Sequence, residues 1–431
     1  MASFASAAIA SLGAFPRAPR LHCAQRRAPR HVSRAHRPTT RAAVEVAEKD
    51  PLEDFKVAAA KLAITLLPGE GGLRAMAGVL PAKFKGTFLG LIDSYKQQMM
   101  LALEDEQRAS TALTAIFKDM VKAYAGQIIG TPYEFPSHHI CIREPFDYYQ
   151  MANAYIGSLV EFDRSILRYP ERWTAIKQQL DAGENVVMMG NHQSEGDAAF
   201  IPLLTEVSHP GLGEQVTYVA GDRVVTDLLC KPFSMGKNLL CVHSKKHMDD
   251  DPALRSGKMK QNISTVKAMQ RLLKAGGVCI WIAPAGGRDR RAADGSIIPD
   301  KFDAAAIDMM RKLGTKKGAA KTHYYPLAMA TYDIMPPPAS KEKSVGEVRV
   351  VNFTGAGLSL GEELDVDSTT AAWAQGLPED ADMTVALSDH IWAVVNEEYK
   401  AIEACNVPGG GPVPLPPNSI RPVRPPSVPV F

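Results

Sequence analysis

The chain has 431 residues, of which 45% are hydrophobic and 22% are charged, and a chain of this length can bury a large core. Its 49 lysine and arginine residues nearly balance its 47 aspartate and glutamate residues. Because the net charge is only +2 and no apolar run reaches the roughly 18 residues of a membrane span, we predict neither a nucleic-acid partner nor a transmembrane segment. Peripheral membrane contact stays open.

Residues 1–44 contain eight arginines, no lysine and no aspartate or glutamate, together with many alanines and serines. This composition is typical of a transit peptide, and the segment lacks the continuous apolar core of a secretory signal. A basic arm that binds nucleic acid is less favoured, because the segment has no periodic pattern. Composition alone does not separate a chloroplast from a mitochondrial destination.

Residues 45–130 show helical patterning and contain no cluster of catalytic side chains. Their apolar stripes predict a small N-terminal helical bundle. Prolines and glycines divide the segment into four predicted helices, at 51–67, 72–80, 81–103 and 105–125.

From residue 131 to residue 405, strand-like and helical runs alternate. This alternation predicts an α/β domain with a mixed, largely parallel sheet flanked by helices, preceded by the helical bundle. Residues 406–431 are rich in proline and contain three consecutive glycines, so we predict a disordered, flexible tail. The six cysteines are scattered without a Cys-x-x-Cys pair, and neither a metal site nor a cofactor is predicted.

The sequence NHQSEGDAAF, at residues 191–200, places His192 and Asp197 five positions apart. The run 186–190 before it is typical of a buried parallel strand, and the run 198–207 of a helix. Five residues of regular helix would turn the two side chains about 140° apart, so they meet only if a turn lies between them. A histidine oriented by a carboxylate at such a turn is a candidate general base.

A structural interpretation of the same segment stands beside the catalytic one. Ser194 and Asp197 also fit a Ser-x-x-Asp capping box. In that case Asp197 only satisfies the N-terminus of the following helix, and His192 packs nearby.

Two basic clusters follow two further strand-like runs. The first, Ser244-Lys245-Lys246-His247, comes after the run 239–243, and the second, APAGGRDRR, comes after the run 277–282. Arginine forks match phosphate oxygens, and glycines let a ligand approach the backbone closely. Because ligands of an open parallel sheet bind beyond the carboxyl ends of its strands, the three motifs predict a base that faces a phosphorylated, hydroxyl-bearing substrate. For either cluster alone, the alternative is a solvated surface, with Asp289 as a local ion partner.

These motifs resemble those of the plastid-type, soluble glycerol-3-phosphate acyltransferases, over roughly residues 51–405. NHQSEGD is similar to the family's His-x4-Asp block, SKKHM at 244–248 to its Lys-His block, and GGRDR at 286–290 to its arginine block. The resemblance implies that His192 is the general base and Asp197 its partner. It also implies that four side chains bind the substrate phosphate, namely Lys246, His247, Arg288 and Arg290.

The resemblance implies a glycerol-3-phosphate 1-O-acyltransferase of the chloroplast stroma, which acylates the sn-1 hydroxyl in the first step of plastid phospholipid synthesis. The acyl donor would be a thioester of acyl carrier protein, a transient partner, or of CoA. The basic stretch 311–321 is a candidate docking surface for an acidic carrier protein, and a solvated loop is the alternative. Two positions depart from the expected pattern: Ala285 stands where the wider superfamily has glutamate, and Arg291 where plant relatives have proline.

Two other classes of function remain open. In an acyl thioesterase or another serine hydrolase, Ser194 would be the nucleophile, but His192 stands where a nucleophile elbow has its first glycine. Such an enzyme would also need His323 or His390 as its base. A non-catalytic acyl- or phosphate-binding protein is the other alternative, although binding alone requires no pair of His192 and Asp197.

Overall fold

The computed structural model describes residues 69–79, 82–129, 132–227, 230–244, 248, 251–337, 349–367 and 369–431. The predicted transit peptide and the predicted helix 51–67 lie outside these residues. The strands are β1 (His138–His139), β2 (Ile166–Arg168), β3 (Asn185–Gly190), β4 (Val216–Gly221), β5 (Asn238–Val242), β6 (Cys279–Ile282), β7 (Thr322–Ala330), β8 (Gly357–Leu360) and β9 (Ser419–Ile420).

Helices precede the sheet, connect its strands and follow them. The α-helices are α1 (Glu70–Met76), α2 (Ala82–Leu103), α3 (Glu106–Ile129), α4 (Tyr148–Gly157), α5 (Pro170–Asp181), α6 (Asp197–Thr205), α7 (Leu212–Gln215), α8 (Asp222–Thr226), α9 (Lys231–Met235), α10 (Pro252–Ala275), α11 (Ala304–Gly314) and α12 (Met383–Lys400). Short 3-10 turns lie at Ala77–Val79, Ala372–Ala374 and Glu403–Cys405. No helix in these ranges is long and apolar enough to cross a membrane.

The nine strands form one sheet in the order β1-β5-β4-β6-β3-β7-β8-β2-β9. The five central strands, β5, β4, β6, β3 and β7, run parallel to one another. On one side of this group β1 pairs antiparallel with β5, and on the other side β8 pairs antiparallel with β7. β2 runs parallel to β8, and β9 runs antiparallel to β2. The predicted α/β fold with a mixed, largely parallel sheet is therefore confirmed.

The centre of the sheet is buried on both faces. Successive side chains of a strand point to opposite sides, so each central strand contributes to two hydrophobic clusters. In β3, Val186 and Met188 join a hydrophobic cluster with Phe200 of α6. Val187 and Met189 join a second cluster on the other face, beneath α10, α11 and α12. All six residues of β3 are buried, which explains its nearly continuous apolar sequence.

The N-terminal helices share a core with the sheet. Leu113 and Phe117 of α3 belong to the same hydrophobic cluster as Met188. Tyr95 of α2 is fully buried, and its hydroxyl donates a hydrogen bond to the carbonyl of Tyr155 in α4 over 2.8 Å. The boundary that we expected at residue 130 thus divides the sequence into a helical part and an α/β part, but it does not divide the core.

The proline-rich tail is ordered, so our prediction of a flexible extension was wrong. β9 pairs with β2 and forms one edge of the sheet, and Arg421 Nη1 donates to the carbonyls of Arg164 and Ser165 over 3.1 and 3.0 Å. Val428 is 2% exposed and packs so closely on Gly157 that a Cβ atom there would lie 2.2 Å from its Cγ2. Extended proline-rich chain has no hydrogen bonds of its own, but the surface of the domain supplies them here.

Candidate active site

The loop after β3 brings His192 and Asp197 together. Helix α6 begins at Asp197, so residues 191–196 form an irregular turn rather than helix. His192 Nδ1 lies 2.8 Å from Asp197 Oδ2, as the spacing of the motif required. The turn begins close to strand β7, since a Cβ atom on Gly190 would lie 2.9 Å from the carbonyl oxygen of Leu327.

Asp197 is 2% exposed and both of its carboxylate oxygens accept hydrogen bonds. Oδ2 accepts from the backbone N–H of Gln193 over 2.7 Å, besides its contact with His192. Oδ1 accepts from the N–H and hydroxyl of Ser194 over 3.1 and 2.9 Å, and from Thr331 Oγ1 over 2.7 Å. Burial raises the pKa of Asp197, but the hydrogen bonds from His192, Thr331 and Gln193 outweigh it and hold the pKa below its usual value. Asp197 therefore satisfies local N–H groups, as a capping residue does, and orients His192 as well.

The remaining ring nitrogen of His192 is available. Because an ionised Asp197 accepts at Nδ1, the ring carries its proton on Nδ1 and presents the Nε2 lone pair outward. Nε2 has no hydrogen-bond partner in the part of the chain that the structure describes, and the side chain is 28% exposed. The edge of the Trp281 ring supports the imidazole, with ring centroids 6.0 Å apart. This arrangement can take a proton from a hydroxyl group.

Ser194 is not placed as a nucleophile. It is fully buried, and its hydroxyl donates to Asp197 and accepts from the N–H of Gly196 over 3.1 Å. The two late histidines do not serve it either, because His323 lies at the start of β7 and His390 stacks on Trp373. The serine-hydrolase alternative thus lacks its nucleophile and its base.

The arginine motif lies directly against residues 191–196, which carry the candidate base His192 and are hereafter the base loop. The N–H of Asp289 donates to the carbonyl of His192 over 2.6 Å, so Arg288 and Arg290 flank a residue that contacts the base. Arg288 is 11% exposed, and its Nη1 lies 3.5 Å from Glu195 Oε1. Arg290 Nη1 is buried without a hydrogen-bond partner among the described residues. An unmet guanidinium donor beside a base suits an anionic group of a substrate.

Lys246 and His247 lie outside the described residues, so their role stays a prediction. β5, which leads towards them, ends at Val242 and runs parallel to β4, β6 and β3. Asn262 of α10 holds the next residue, His243, through hydrogen bonds of 2.7 and 2.9 Å to its N–H and carbonyl. The chain therefore enters this segment from the same edge of the sheet as His192.

Two buried amides and a buried carboxylate, which the motifs did not indicate, hold the site together. Asn191 and Gln193 are fully buried, and both donate side-chain hydrogen bonds to Asp289 Oδ2. Burial raises the pKa of Asp289 to about 6, against the opposing effect of these hydrogen bonds. We had considered Asp289 only as an ion partner for arginines. The amide side chains on both sides of His192, directly after an apolar strand, could have indicated this buried hydrogen-bond network.

The basic stretch 311–321 lies at the edge of the sheet opposite His192. It precedes Thr322, the first residue of β7, whereas His192 follows the last residue of the neighbouring parallel strand β3. The six residues of β3 that pair with β7 span about 20 Å. Three of its cations also pair locally, Arg311 and Lys312 with Asp308, and Lys321 with Glu184. Our candidate docking surface for an acidic carrier protein is therefore not adjacent to the base.

No group of three or more His, Cys, Asp or Glu side chains within the described ranges could hold a metal ion. The positively charged groups next to the loop of His192 are Arg288 and Arg290, and guanidinium groups suit an organic anion. The chemistry available at this edge is proton transfer next to a bound anion.

Comparison with known proteins agrees with this arrangement. The family model described as acyltransferase matches residues 174–330, which include His192, Asp197, Arg288 and Arg290. The chain is 41% identical over 333 residues to a chloroplastic glycerol-3-phosphate acyltransferase of Arabidopsis thaliana, covering 77% of this chain and 70% of that one. A namesake from Spinacia oleracea is 44% identical over 277 residues, 64% of this chain and 58% of its own. One from Pisum sativum is 40% identical over 335 residues, 76% and 70% of the two chains.

Proposed function

The chain belongs to the glycerol-3-phosphate acyltransferase family, and we propose that it transfers a fatty acyl group from a thioester to the sn-1 hydroxyl of glycerol 3-phosphate. The product would be 1-acyl-glycerol 3-phosphate. The observation that carries this proposal is the 2.8 Å contact between His192 Nδ1 and the buried Asp197, which leaves Nε2 directed outward.

His192 acts as the general base. Nε2 takes the proton of the sn-1 hydroxyl as its oxygen attacks the carbonyl carbon of the thioester. The tetrahedral intermediate then expels the thiolate, which receives the proton from the imidazolium. General-base assistance of this kind contributes roughly 10²- to 10⁴-fold in rate. Because the hydroxyl attacks directly, no acyl-enzyme forms, in agreement with the buried and hydrogen-bonded Ser194.

The arginines fix the acceptor. Arg290 carries a buried donor without a protein partner in the described chain, and Arg288 lies across the same loop, so both can bind phosphate oxygens. Lys246 and His247 would complete the anion site from the carboxyl end of β5, which is separated from β6 by β4. Holding the phosphate in place turns binding energy into orientation of the hydroxyl towards Nε2.

The acyl donor and the location follow from the same proposal. A thioester of acyl carrier protein is the expected donor in the plastid stroma, with a CoA thioester as the second. The chloroplastic names of the relatives support a plastid location, as does the arginine-rich composition of residues 1–44. A non-catalytic binding protein would not require His192 to be oriented by Asp197.

An acylation assay with the full chain tests this proposal. Radiolabelled glycerol 3-phosphate is supplied with oleoyl and palmitoyl thioesters of carrier protein and of CoA, and the position of the acyl group on the product is determined. We expect 1-acyl product, formed faster from the carrier-protein thioesters. Thioester hydrolysis that proceeds equally well without glycerol 3-phosphate would contradict an acyltransferase, and 2-acyl product would contradict the assigned orientation.

A further inference from the structure

Asp289 is a fully buried carboxylate between the two arginines of the predicted phosphate site. Its Oδ2 accepts hydrogen bonds from Asn191 Nδ2 over 2.9 Å and from Gln193 Nε2 over 3.2 Å. Its Oδ1 accepts from the N–H of Asp300 over 3.0 Å, further along the same loop. Both oxygens thus bind donors, and the two side-chain donors flank His192.

The same two amides attach the base loop to strand β7. Asn191 exchanges hydrogen bonds with the backbone of Met329, over 2.8 and 3.0 Å. Gln193 Oε1 accepts from the N–H of Thr331 over 2.8 Å, and the hydroxyl of Thr331 donates to Asp197. The base loop is therefore hydrogen-bonded on one side to the loop 286–290, which carries the two arginines, and on the other side to the end of β7.

Burying a carboxylate is costly, and the raised pKa of Asp289 shows that its partners do not fully offset the lost solvation. Removing the carboxylate would leave the buried amides of Asn191 and Gln193 without this acceptor. What the carboxylate supplies is a fixed connection between two loops that are about 100 residues apart in sequence. Asp289 stands between Arg288 and Arg290 in the chain, so a fixed Asp289 also fixes the backbone from which both guanidinium groups extend.

We propose that Asp289 is a positioning residue, which sets the spacing and orientation of Arg288 and Arg290 relative to His192. It does not touch the substrate. A phosphate held by the two arginines then presents its hydroxyl within reach of Nε2, and a displacement of about 1 Å can cost about 10²-fold in rate. This inference rests on the proposed function and names the residue that couples acceptor binding to the base.

The variant Asp289→Asn tests the coupling without a change of volume. Its amide group must direct a donor either at Asn191 and Gln193 or at the N–H of Asp300, so one of the two links is lost. We expect kcat with glycerol 3-phosphate to fall by about 10²-fold, a smaller rise in KM for glycerol 3-phosphate, and no change in KM for the oleoyl thioester. Asp300→Asn is the matched control, because its side chain is exposed and its N–H still donates to Asp289. It should keep wild-type kinetics.

A second variant breaks the same link from the other side. Gln193→Glu keeps the acceptor for Thr331 but places an oxygen opposite Asp289, so it should show the same fall in kcat. Combining it with Asp289→Asn lets an amide donor meet the new carboxylate, and we expect kcat to recover about tenfold over either single variant. A purely structural role would change the melting temperature and the amount of folded enzyme, but it would not give this rescue.

Wild-type enzyme measured in parallel separates two failures. If wild type forms no acylated glycerol 3-phosphate, the proposed function fails. If wild type is active and folded Asp289→Asn keeps kcat within about twofold, only the positioning role is overturned. If that variant does not fold, Gln193→Glu decides in the same way, and a double variant no better than the singles also contradicts the coupling.

Discussion

Two histidines with carboxylate partners lie at opposite ends of the same pair of strands, β3 and β7. His192 follows the end of β3, contacts one carboxylate through Nδ1 and is 28% exposed. His323 lies near the start of β7 and is 3% exposed. Its Nδ1 lies 2.6 Å from Glu363 and its Nε2 lies 2.8 Å from Glu184, so both ring nitrogens are occupied.

The difference shows that a histidine and a carboxylate do not by themselves make a base. Asp197 fixes the tautomer of His192 and leaves its Nε2 able to accept a proton. The two glutamates occupy both ring nitrogens of His323, and these contacts connect β7 to the loop before β3 and to the loop after β8. The first pair lies where the parallel strands end, which is where ligands bind in such sheets. The second pair lies where they begin. We therefore expect substitutions at the two ends to separate rate from stability.

The largest effect among these predictions is expected from Asp197→Asn. The side-chain amide of Asn can donate a hydrogen bond to Nδ1, which favours the His192 tautomer with its proton on Nε2. In that tautomer Nε2 cannot accept the proton of the substrate hydroxyl. We predict a fall in kcat of about 10²- to 10⁴-fold, measured by steady-state kinetics. Thr331→Val, which removes one donor to Asp197 and leaves the His192 contact, should lose less than about tenfold. Equal losses in the two variants would mean that Asp197 acts only through folding.

A smaller effect is expected from the anion site. Arg290→Ala removes a buried donor, and charge-assisted hydrogen bonds of this kind contribute about 1.5 to 3 kcal/mol. We predict that KM for glycerol 3-phosphate rises about 10- to 100-fold, with little change in KM for the thioester. Arg291→Ala is the control, because Arg291 pairs with Asp333 over 2.6 and 2.7 Å. A similar rise in both variants would assign the effect to the general charge of the loop.

At the other end of the strands, His323→Gln should lower the melting temperature by about 2 to 4 °C and leave kcat unchanged. The hydrogen bond from His323 is the main reason why the pKa of Glu184 lies below its usual value. A carboxyl group whose pKa is lower in the folded state stabilises the fold at pH values above its unfolded-state pKa, where it is ionised. This stabilisation is lost as the pH falls through the folded-state pKa. The difference in melting temperature between wild type and variant should therefore shrink below about pH 4.5. A difference that grows on acidification would contradict this pairing.

The smallest effect is expected in the tail. Val428→Ala removes buried methyl groups that pack on Gly157, and we predict a melting temperature about 1 to 2 °C lower with unchanged kinetics. Val430→Ala, at a position that is 83% exposed, should have no effect. If both variants behave like wild type, the packing of the tail contributes nothing to stability.

The sequence predicted the parts of this site that depend on local spacing. The spacing of five positions from His192 to Asp197 required a turn, and the apolar run before them required a buried strand. Strand direction could also have placed the stretch 311–321 at the edge opposite the site, since residues that precede a parallel strand lie at the edge where it begins. In each case the local sequence pattern was sufficient for the prediction.

Contacts between distant segments could not be predicted in this way. Asp289 stands between two arginines, so the sequence favoured a local ion pair, but its carboxylate binds amides almost 100 positions away. The tail has the composition of a flexible chain, and its order depends on an edge strand and a glycine in other parts of the chain. Both features depend on surfaces that form only when the chain has folded.

The most direct test of the account is whether His192 is the base. Wild type and His192→Ala, both as the full chain, are incubated with radiolabelled glycerol 3-phosphate and the oleoyl thioester of carrier protein, and their melting temperatures are compared. We predict that lysophosphatidate formation falls by at least about 10²-fold while the melting temperature stays within a degree or so. A folded His192→Ala enzyme with kcat within about twofold of wild type would contradict the central claim.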